Sequence, residues 1–358
     1  MKAIIAAGGK GTRLYPLTYS NNKHLIPIAN KPLVFYPLES IVEVGIKEIG
    51  IVYRNNLDEI KGVLGNGSKW GVKLTYIQQK EPLGLAHVIK ISKEFINGDR
   101  FVYHLGDNIF VNGIKKPFDI FNSGKINALV TVIHHKENSR MGVPYFDRKG
   151  NLIEYVEKPK NPPHDFAIPG LYFFDSSVFK CFEGKSAIKP SERGEYEISA
   201  PYQWLIDHQY VVKTVEYEGI WKDPGKFNDL VETNMVLLSF KKDFLNKGKI
   251  DKKSHISGDI EIGKTSRIKG STLRGPLSID EDVLIKNSYI GPYTSIGKNC
   301  TLINCHIENS VLMDGVRIEN VEGRIDASLI GRNSQITSVN ERPVSHSFML
   351  GDHTKVIL

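Results

Sequence analysis

The sequence predicts two folds in tandem: a doubly wound α/β domain with a mostly parallel sheet, followed by a hexapeptide-repeat parallel β-helix. Up to about residue 240, short apolar runs typical of buried strands alternate with segments of helical periodicity. From Ile256 onward, single aliphatic residues instead recur about every six positions. A Lys-rich segment separates the two patterns. We therefore expect domains at 1–240 and 254–358, joined by a linker at 241–253.

The first pattern alternates strands and helices, which is typical of a parallel sheet with helices on both faces. Ligands of such sheets bind beyond the carboxyl ends of the strands. Pro32 would open the first helix, and Pro37 would kink it or mark a second start. The predicted strands are 4–7, 49–53, 74–78, 101–105, 128–134, 152–156, 168–174 and 211–215. The predicted helices are 32–44, 57–64, 85–95, 197–208 and 226–240.

The second pattern is a series of aliphatic residues at steps of six, six and five, so that each set repeats after 17 residues. One inward aliphatic residue per face, with three faces per coil, is the signature of a parallel β-helix. At about 0.8 kcal/mol per buried methylene, stacking these side chains stabilises each added coil. The series loosens after Met313, and 339–358 would be an end cap or tail. The first three sets are Ile256, Ile262, Ile268; Leu273, Ile279, Ile285; and Ile290, Ile296, Leu302.

The composition indicates a soluble globular protein, with 41% hydrophobic and 24% charged residues among 358. The net charge is +7, but the basic residues are scattered, which favours small phosphorylated ligands over nucleic acid. The three cysteines are too few for a disulfide framework and lack metal-ligand spacing with histidine. The first apolar run is too short for a signal peptide, and no stretch is long enough to span a membrane, so we expect a cytoplasmic protein.

A glycine-rich loop, Gly-Gly-Lys-Gly-Thr-Arg at 8–13, follows the first predicted strand. Glycines leave the backbone N–H groups open to an anion, and Lys10 and Arg13 add full positive charges. Lys23, ten residues after Arg13, can reach the same phosphate. The loop matches neither the Walker pattern nor the dinucleotide fingerprint. It therefore predicts a phosphate site of another kind, with a plain tight turn as the alternative.

Two aspartates are candidates for a magnesium site. Asp107 follows a glycine at the carboxyl end of the strand at 101–105, and Asp223 follows Trp221 and Lys222. Mg²⁺ prefers carboxylate and phosphate oxygens as ligands. Two carboxylates converging on the phosphates of a nucleotide would hold the metal, whereas the alternative for Asp107 is a turn cap.

Further polar residues are candidates for substrate contacts. The amide of Gln79 complements the Watson-Crick edge of a pyrimidine, although a lone glutamine is often only a polar loop residue. Glu157 suits sugar hydroxyls and Lys158 a sugar phosphate, and Arg193 is similar in kind. Ordinary surface ion pairs are the alternative. No nucleophile elbow and no histidine cluster is present in the sequence, so no nucleophile triad is expected.

Seven motifs follow one another along the chain: Gly8-Gly9-Lys10-Gly11-Thr12-Arg13, Lys23 with Leu25 and Pro27, Gln79 with Gly84-Leu85-Ala86, Leu105-Gly106-Asp107-Asn108, Glu157-Lys158-Pro159, Arg193-Gly194-Glu195, and Trp221-Lys222-Asp223 with Gly225. As a set, they resemble the sugar-1-phosphate nucleotidylyltransferase family. Within it, the chain is similar to long members that carry a C-terminal left-handed β-helix. The likeness covers essentially the whole chain.

The resemblance implies a Rossmann-like nucleotide-diphospho-sugar transferase fold and a Mg²⁺-dependent reaction. In this reaction, glucose 1-phosphate attacks the α-phosphorus of dTTP in line, which gives dTDP-glucose and pyrophosphate. The implied catalytic residues are Arg13, Lys23, Asp107, Lys158 and Asp223, with Asp107 and Asp223 as metal ligands. The implied nucleotide-binding residues are Ala7, Gly8, Gly9, Gly11, Thr12, Arg13, Gln79, Pro82 and Gly84. The implied sugar-phosphate-binding residues are Asn108, Gly142, Glu157, Lys158, Ile168 and Arg193.

Three alternatives stay open at the level of sequence. The enzyme could use UTP, because Gln79 cannot itself distinguish thymine from uracil. The β-helix could add an acyltransferase activity, with His306 as the candidate base. The chain could also be a non-catalytic regulatory subunit that binds a nucleotide sugar. In each case we expect a homo-oligomer without nucleic-acid or membrane partners.

Overall fold

The structure is a computed structural model that describes residues 1–338. The end cap or tail predicted at 339–358 lies outside the described residues. The first fourteen strands are β1 Lys2–Ala6, β2 Pro27–Ile28, β3 Lys31–Pro32, β4 Glu48–Tyr53, β5 Lys73–Gln78, β6 Phe101–Leu105, β7 Ile109–Phe110, β8 Ala128–His134, β9 Gly142–Phe146, β10 Leu152–Glu157, β11 Phe166–Ala167, β12 Leu171–Phe174, β13 Val212–Glu216 and β14 Trp221–Lys222. The helices are α1 Phe35–Glu43, α2 Leu57–Leu64, α3 Leu85–Ile91, α4 Lys93–Ile96, α5 Lys115–Ser123, α6 Ser199–Asp207 and α7 Phe227–Phe240.

The remaining strands are short and closely spaced. They are β15 Lys249–Ile250, β16 His255–Ser257, β17 Ile260–Ile262, β18 Arg267–Lys269, β19 Thr272–Arg274, β20 Leu277–Ile279, β21 Leu284–Lys286, β22 Tyr289–Ile290, β23 Thr294–Ile296, β24 Thr301–Ile303, β25 His306–Glu308, β26 Val311–Leu312, β27 Arg317–Glu319, β28 Arg324–Asp326, β29 Leu329–Ile330 and β30 Gln335–Thr337.

The chain divides into two compact units. The first comprises Met1–Gly9 and Val34–Trp221, and the second comprises Lys10–Leu33 and the described residues from Lys222 onward. The second unit therefore contains α7 and an N-terminal segment together with the β-helix. These compact units are not the sequence-defined domains, whose boundaries at 240 and 254 stay a prediction.

The first unit is built on one sheet with the strand order β11-β8-β12-β6-β1-β4-β5, and β13 pairs with β8. Strand β1 lies between β4 and β6 and is parallel to both, and β4 is parallel to β5. Strand β12 runs antiparallel between β6 and β8. The predicted mostly parallel sheet is confirmed. The carboxyl ends of β1, β4, β5 and β6 lie at one edge, and the residues that follow β1, β5 and β6 include Ala7, Gln79 and Asp107.

Two predicted helices differ from the structure. Helix α1 begins at Phe35, and Pro32 lies in β3, so the prediction that Pro32 opens the helix is wrong. Pro37 lies in the first turn of α1, where a residue without an N–H is tolerated because no intrahelical acceptor faces that position. The segment predicted as one helix at 85–95 is two helices, α3 and α4, separated at Ser92. The hydroxyl of Ser92 donates to Val88 O at 2.8 Å, and such a bond back to the preceding turn competes with regular helix.

The repeated strands of the second unit stack into three parallel sheets. One follows the order β15-β18-β21-β24-β27-β30, the second β16-β19-β22-β25-β28 and the third β17-β20-β23-β26-β29. Ile268, Ile285 and Leu302 pair in register at 17-residue spacing, and all three are buried. Farther along, Leu302 pairs with Ile318 and Ile307 with Ile325, spacings of 16 and 18. The hexapeptide-repeat β-helix is confirmed.

The three cysteines of the chain are free and buried. Burial raises the pKa of the Cys181 thiol and of the Cys300 thiol to about 12, so both stay protonated at neutral pH. Among the described helices, none combines the length and the apolar character that crossing a membrane requires.

Candidate active site

The glycine-rich loop leaves the sheet at the end of β1. Ala7 continues the strand direction by donating its N–H to Val52 O at 2.7 Å. Gly11, in the second unit, has φ +66°, and a Cβ there would lie 2.9 Å from Lys23 Cβ and 3.1 Å from Thr18 Cγ2. Only glycine fits this position. The close approach fixes Lys23 against the loop that was predicted to hold phosphate.

Three predicted catalytic residues of the second unit lie near one another. Lys23 Nζ is 3.9 Å from Asp223 Oδ1, and the lysine side chain is 7% exposed. Arg13 lies against Gly225, where a Cβ would be 3.2 Å from an Arg13 guanidinium nitrogen. Arg13, Lys23 and Asp223 thus form a cluster with two cations and one carboxylate. Such a cluster can bind phosphate groups and, through its carboxylate, a divalent cation.

The segment 10–33 that carries Arg13 and Lys23 is fastened to the β-helix of the same unit. Asn234, fully buried on α7, accepts from Ala29 N at 2.9 Å and from Ser295 Oγ at 2.6 Å, and it donates to Tyr293 O at 2.8 Å. Asn30 Nδ2 lies 2.9 Å from Ser278 O and 3.0 Å from Ile296 O. These contacts position the cation-bearing segment on the sheet that contains β20 and β23.

Asp107 follows β6 and is held by its neighbour. Asn108 Nδ2 donates to Asp107 Oδ1 at 3.0 Å, and Asn108 Oδ1 accepts from Gly170 N and from Trp221 Nε1 at 3.2 and 2.8 Å. Asn108 is 2% exposed. Its hydrogen bonds orient the Asp107 carboxylate, while its predicted contact with a hexose stays a prediction.

Five of the predicted sugar-phosphate residues lie around the end of β10, whereas Asn108 follows β6: the five are Gly142, Glu157, Lys158, Ile168 and Arg193. Glu157 pairs with Gly142 across the β9-β10 ladder, and Ile168 N donates to Gly142 O at 2.8 Å. A Cβ on Gly142 would lie 2.3 Å from the Tyr155 ring, so glycine is required there. Lys158 Nζ is 3.6 Å from Glu157 Oε1.

Burial governs the ionisation of this carboxylate. Desolvation raises the pKa of Glu157, and Lys158 and Arg193 partly offset that rise while Glu197 adds to it. Arg193 in turn pairs with Glu197 at 2.8 Å. A carboxylate between two cations is suited to sugar hydroxyls beside a phosphate.

Gln79 follows β5 and is only 9% exposed. Its Nε2 donates to Gly84 O at 3.2 Å and lies 3.2 Å from Nδ1 of His87, a residue that the sequence analysis did not single out. Gly84 has φ +91°, and a Cβ there would meet Tyr196 O at 2.6 Å. Pro82 is exposed in the same turn.

The two predicted metal ligands belong to different units, Asp107 to the first and Asp223 to the second. In residues 1–338 no group of three or more His, Cys, Asp or Glu side chains is arranged to hold a metal ion. The donor set nevertheless fits Mg²⁺, since each aspartate offers hard carboxylate oxygens. The two-carboxylate site stays a prediction.

The remaining predicted nucleotide-binding residues lie in or beside the loop. Gly8 is half-buried, Gly9 is exposed, and Thr12 begins a short 3-10 helix, Thr12–Leu14. The sequence did not indicate Asn30, Asn234 or His87 as site residues. Nothing in the local sequence of the two asparagines marks them, whereas His87 could have been noticed because it lies three residues after Gly84, on the helix that follows the turn.

Comparison with known proteins agrees with this geometry. The nucleotidyl transferase family matches residues 2–239, and the GMPPB C-terminal domain matches residues 273–356. A glucose-1-phosphate thymidylyltransferase of Streptomyces antibioticus is 39% identical over 357 residues, 99% of each chain. The low-salt glycan biosynthesis nucleotidyltransferase Agl11 of Haloferax volcanii is 38% identical over 362 residues, 100% of each chain.

A solved structure shares the fold of about two thirds of the chain. It is a Bacillus anthracis protein assigned as a glucose-1-phosphate thymidylyltransferase, in complex with sucrose. It aligns with a TM-score of 0.63 and 33% identity, covering 69% of this chain and 98% of that one. With the glycine-rich loop, the cation cluster and the β-helix in place, the chain belongs to the nucleotidyl transferase family, as a long member with a C-terminal β-helix.

Proposed function

We propose that this enzyme transfers a thymidylyl group from dTTP to glucose 1-phosphate and releases pyrophosphate. The observation that carries the proposal is the end-to-end likeness to an enzyme named for this reaction. Two groups of cations support it. Lys23 lies 3.9 Å from Asp223 and Arg13 lies against Gly225, while Lys158 and Arg193 both act electrostatically on Glu157.

The reaction requires that the negative charges of the two substrates are neutralised and that their reacting atoms are aligned. A phosphate oxygen of glucose 1-phosphate attacks the α-phosphorus of dTTP, and the bond from that phosphorus to the bridging oxygen breaks, so that pyrophosphate leaves with the bridging oxygen. The attacking oxygen is already anionic, and no general base is needed. The obstacle is the approach of two anions. Arg13 and Lys23 would bind the triphosphate, and Lys158 would bind the sugar phosphate.

Asp107 and Asp223 would hold Mg²⁺. When bound, this ion neutralises phosphate charge and acts as a template for the substrates. Asn108 contributes by holding the Asp107 carboxylate through its Nδ2.

A substrate matrix tests the proposal. Purified protein is mixed with each combination of dTTP, UTP, CTP, ATP or GTP and glucose, galactose or mannose 1-phosphate, and pyrophosphate is measured. We expect the highest kcat/KM for dTTP with glucose 1-phosphate. If no pyrophosphate is released with any pyrimidine triphosphate and hexose 1-phosphate, the proposal of an enzyme is wrong. Tight binding of a nucleotide sugar without turnover would favour a regulatory subunit.

Uridylyl transfer is the second candidate. Gln79 favours it as much as thymidylyl transfer, because thymine and uracil offer the same Watson-Crick edge. The ratio of kcat/KM for dTTP and UTP decides between them. An added acyltransferase activity would require turnover of acetyl-coenzyme A by the wild type that is lost in His306→Ala, and His306 is exposed on β25.

Three further statements stay predictions: Mg²⁺ dependence, a homo-oligomeric state and a cytoplasmic location. Chelation followed by addition of Mg²⁺ tests the first. Light scattering coupled to size-exclusion chromatography tests the second, and cell fractionation tests the third.

A further inference from the structure

Both amide hydrogens of Gln79 are engaged within the first unit. Its Nε2 lies 3.2 Å from Gly84 O and 3.2 Å from His87 Nδ1. A carbonyl oxygen can only accept a hydrogen bond, so the amide atom that faces Gly84 must be the nitrogen. Among the described residues none donates to Gln79 Oε1, and this acceptor is left for a ligand.

The position of Gly84 O is itself fixed by backbone contacts. Leu83 O accepts from Tyr196 N at 2.8 Å, and Ala86 N donates to Tyr196 O at 2.9 Å. These two bonds bracket Gly84 on both sides. Gly84 O, the first partner of the Gln79 amide, therefore stays in place when the Gln79 side chain rotates. The second partner, His87, determines whether the amide is held at both of its hydrogens.

The same geometry fixes the tautomer of His87. Because Gln79 Nε2 is a donor, His87 Nδ1 must carry a lone pair, and the ring is neutral with its proton on Nε2. Burial lowers the pKa of His87, Lys90 lowers it further, and Glu81 opposes both. The ring of Tyr196 stacks on that of His87 at 6.3 Å between centroids.

We propose that His87 is a positioning residue that holds the Gln79 amide with its carbonyl oxygen toward the base, and thereby selects bases with an imide N–H. Thymine and uracil carry a hydrogen on N3, which Oε1 accepts. Cytosine carries a lone pair on N3, which Oε1 repels. This inference rests on the proposed function, in which Gln79 contacts the base.

Base selectivity measures the effect directly. The kcat/KM ratio for dTTP over CTP is compared in the wild type, His87→Leu, His87→Asn and Gln79→Leu. Loss of one hydrogen bond that orients the amide should lower the ratio about fivefold to tenfold in His87→Leu. The change should fall on the KM for dTTP, with kcat retained, because the base is remote from the reacting phosphorus. His87→Asn should restore the ratio, because its carbonyl oxygen can accept from Gln79 as Nδ1 does.

The pH profile separates this role from simple packing. Protonated His87 would direct an N–H at the Gln79 nitrogen, so the wild-type KM for dTTP should rise on acidification below the ordinary pKa of histidine. His87→Asn has no such proton and should show a flat KM over the same range. Two charged groups, Lys90 and Glu81, face His87. Both are present in the wild type and in His87→Asn, so the two proteins differ only at position 87.

The outcomes distinguish this inference from the proposed function. An unchanged dTTP/CTP ratio in folded His87→Leu, together with a collapsed ratio in Gln79→Leu, would overturn the role of His87 alone. An unchanged ratio in both would overturn the contact of Gln79 with the base. If His87→Leu does not fold, a KM that rises in acid for His87→Asn as it does for the wild type overturns the inference.

Discussion

Asp107 and Asp223 show how single side chains are held for the proposed reaction. Asn108 donates to Asp107, and Lys23 lies beside Asp223. Asp107 therefore has a hydrogen-bond donor that orients it before any ligand arrives, and Asp223 has a cation 3.9 Å away. Preorganised charges of this kind account for much of the rate enhancement of enzymes.

Replacing either aspartate by asparagine removes the charge and keeps the shape. We expect Asp107→Asn and Asp223→Asn each to lower kcat by about a hundredfold or more, since a misplaced or missing metal ligand removes charge stabilisation. Pyrophosphate release is measured across a Mg²⁺ titration. Asp119→Asn is the matched control, because Asp119 is exposed on α5, where it pairs with Lys115, and this variant should keep wild-type rates. Near-wild-type rates of either site variant at limiting Mg²⁺ would rule out the two-carboxylate site.

The ionised Glu157 carboxylate is expected to lower the stability of the fold while it contributes to substrate binding. Burial raises the pKa of Glu157, so the folded state favours the protonated carboxyl. The protonated carboxyl contributes its full stability below the pKa that Glu157 has in the unfolded chain. That stability is lost as the pH rises through the pKa that Glu157 has in the folded protein. In Glu157→Gln, the side chain at position 157 is uncharged at every pH. We therefore expect its melting temperature to exceed that of the wild type at pH 7.5, and this difference to vanish near pH 4. Its KM for glucose 1-phosphate should rise. A lower melting temperature at pH 7.5 would contradict this account.

At the scale of elements, α7 joins the segment 10–33 to the β-helix. The side chain of Asn234 bonds to Ala29, Tyr293 and Ser295, which lie in three different parts of the chain. Removing it would leave buried polar groups without partners, which costs more than the net worth of the bonds. The 3-10 helix Lys23–Leu25 would lose part of its support.

We expect Asn234→Ala to lower the free energy of unfolding by about 2–4 kcal/mol, since several buried polar groups lose their partner. Urea denaturation measures this change. The KM for dTTP should rise as well, because Lys23 lies only six residues before Ala29. Ser239→Ala is the control on the same helix, where the hydroxyl donates to Met235 O at an exposed site. Equal effects of the two substitutions would refute the special role of Asn234.

Elements with a local period could be predicted from the sequence, and contacts between distant segments could not. The six-six-five series predicted the buried aliphatic residues of the coils from Ile262 to Leu302, since the period is a property of neighbouring residues, but its first member, Ile256, is 39% exposed. The hydrogen bond from Ala29 N to Asn234 Oδ1 joins residues 205 positions apart, and no local sequence pattern predicts it. Pro32 misled the prediction of α1 because its preference for a first helical turn was overridden by pairing of β2 with β3. For the site, residue types were predictable, but the orientation of the Gln79 amide required the positions of Gly84 O and His87 Nδ1.

At the scale of the whole molecule, the β-helix is part of the unit that carries Arg13, Lys23 and Asp223. It is therefore more than an appended domain. Deleting it would uncover Asn234 on α7, which is fully buried and bonds to Tyr293 and Ser295. Buried groups that lose their cover cost free energy whether they are polar or apolar.

A chain that ends after Gly248 tests this dependence. We expect it to bind a hydrophobic dye, to unfold at lower urea concentration and to lose at least about 90% of its activity, because the 10–33 segment loses its platform. A chain that ends at Ser338 keeps every described coil and is the control. Full activity of the shorter chain would show that the segment holds its conformation without the β-helix.

The fastening at Asn30 has a consequence for how the stacked coils open. Each coil contacts only its neighbours, so a free stack frays from its ends inward. Asn30 bonds to Ser278 and Ile296, and Asn234 to Ser295, which ties β20 and β23 to the rest of the unit. Fraying that enters from either end should stall at these two strands. In native-state hydrogen exchange, the amides of Ile279 and Ile296 should exchange last, and the slow-exchanging centre of the array should coincide with the coils that hold the phosphate-binding segment in place.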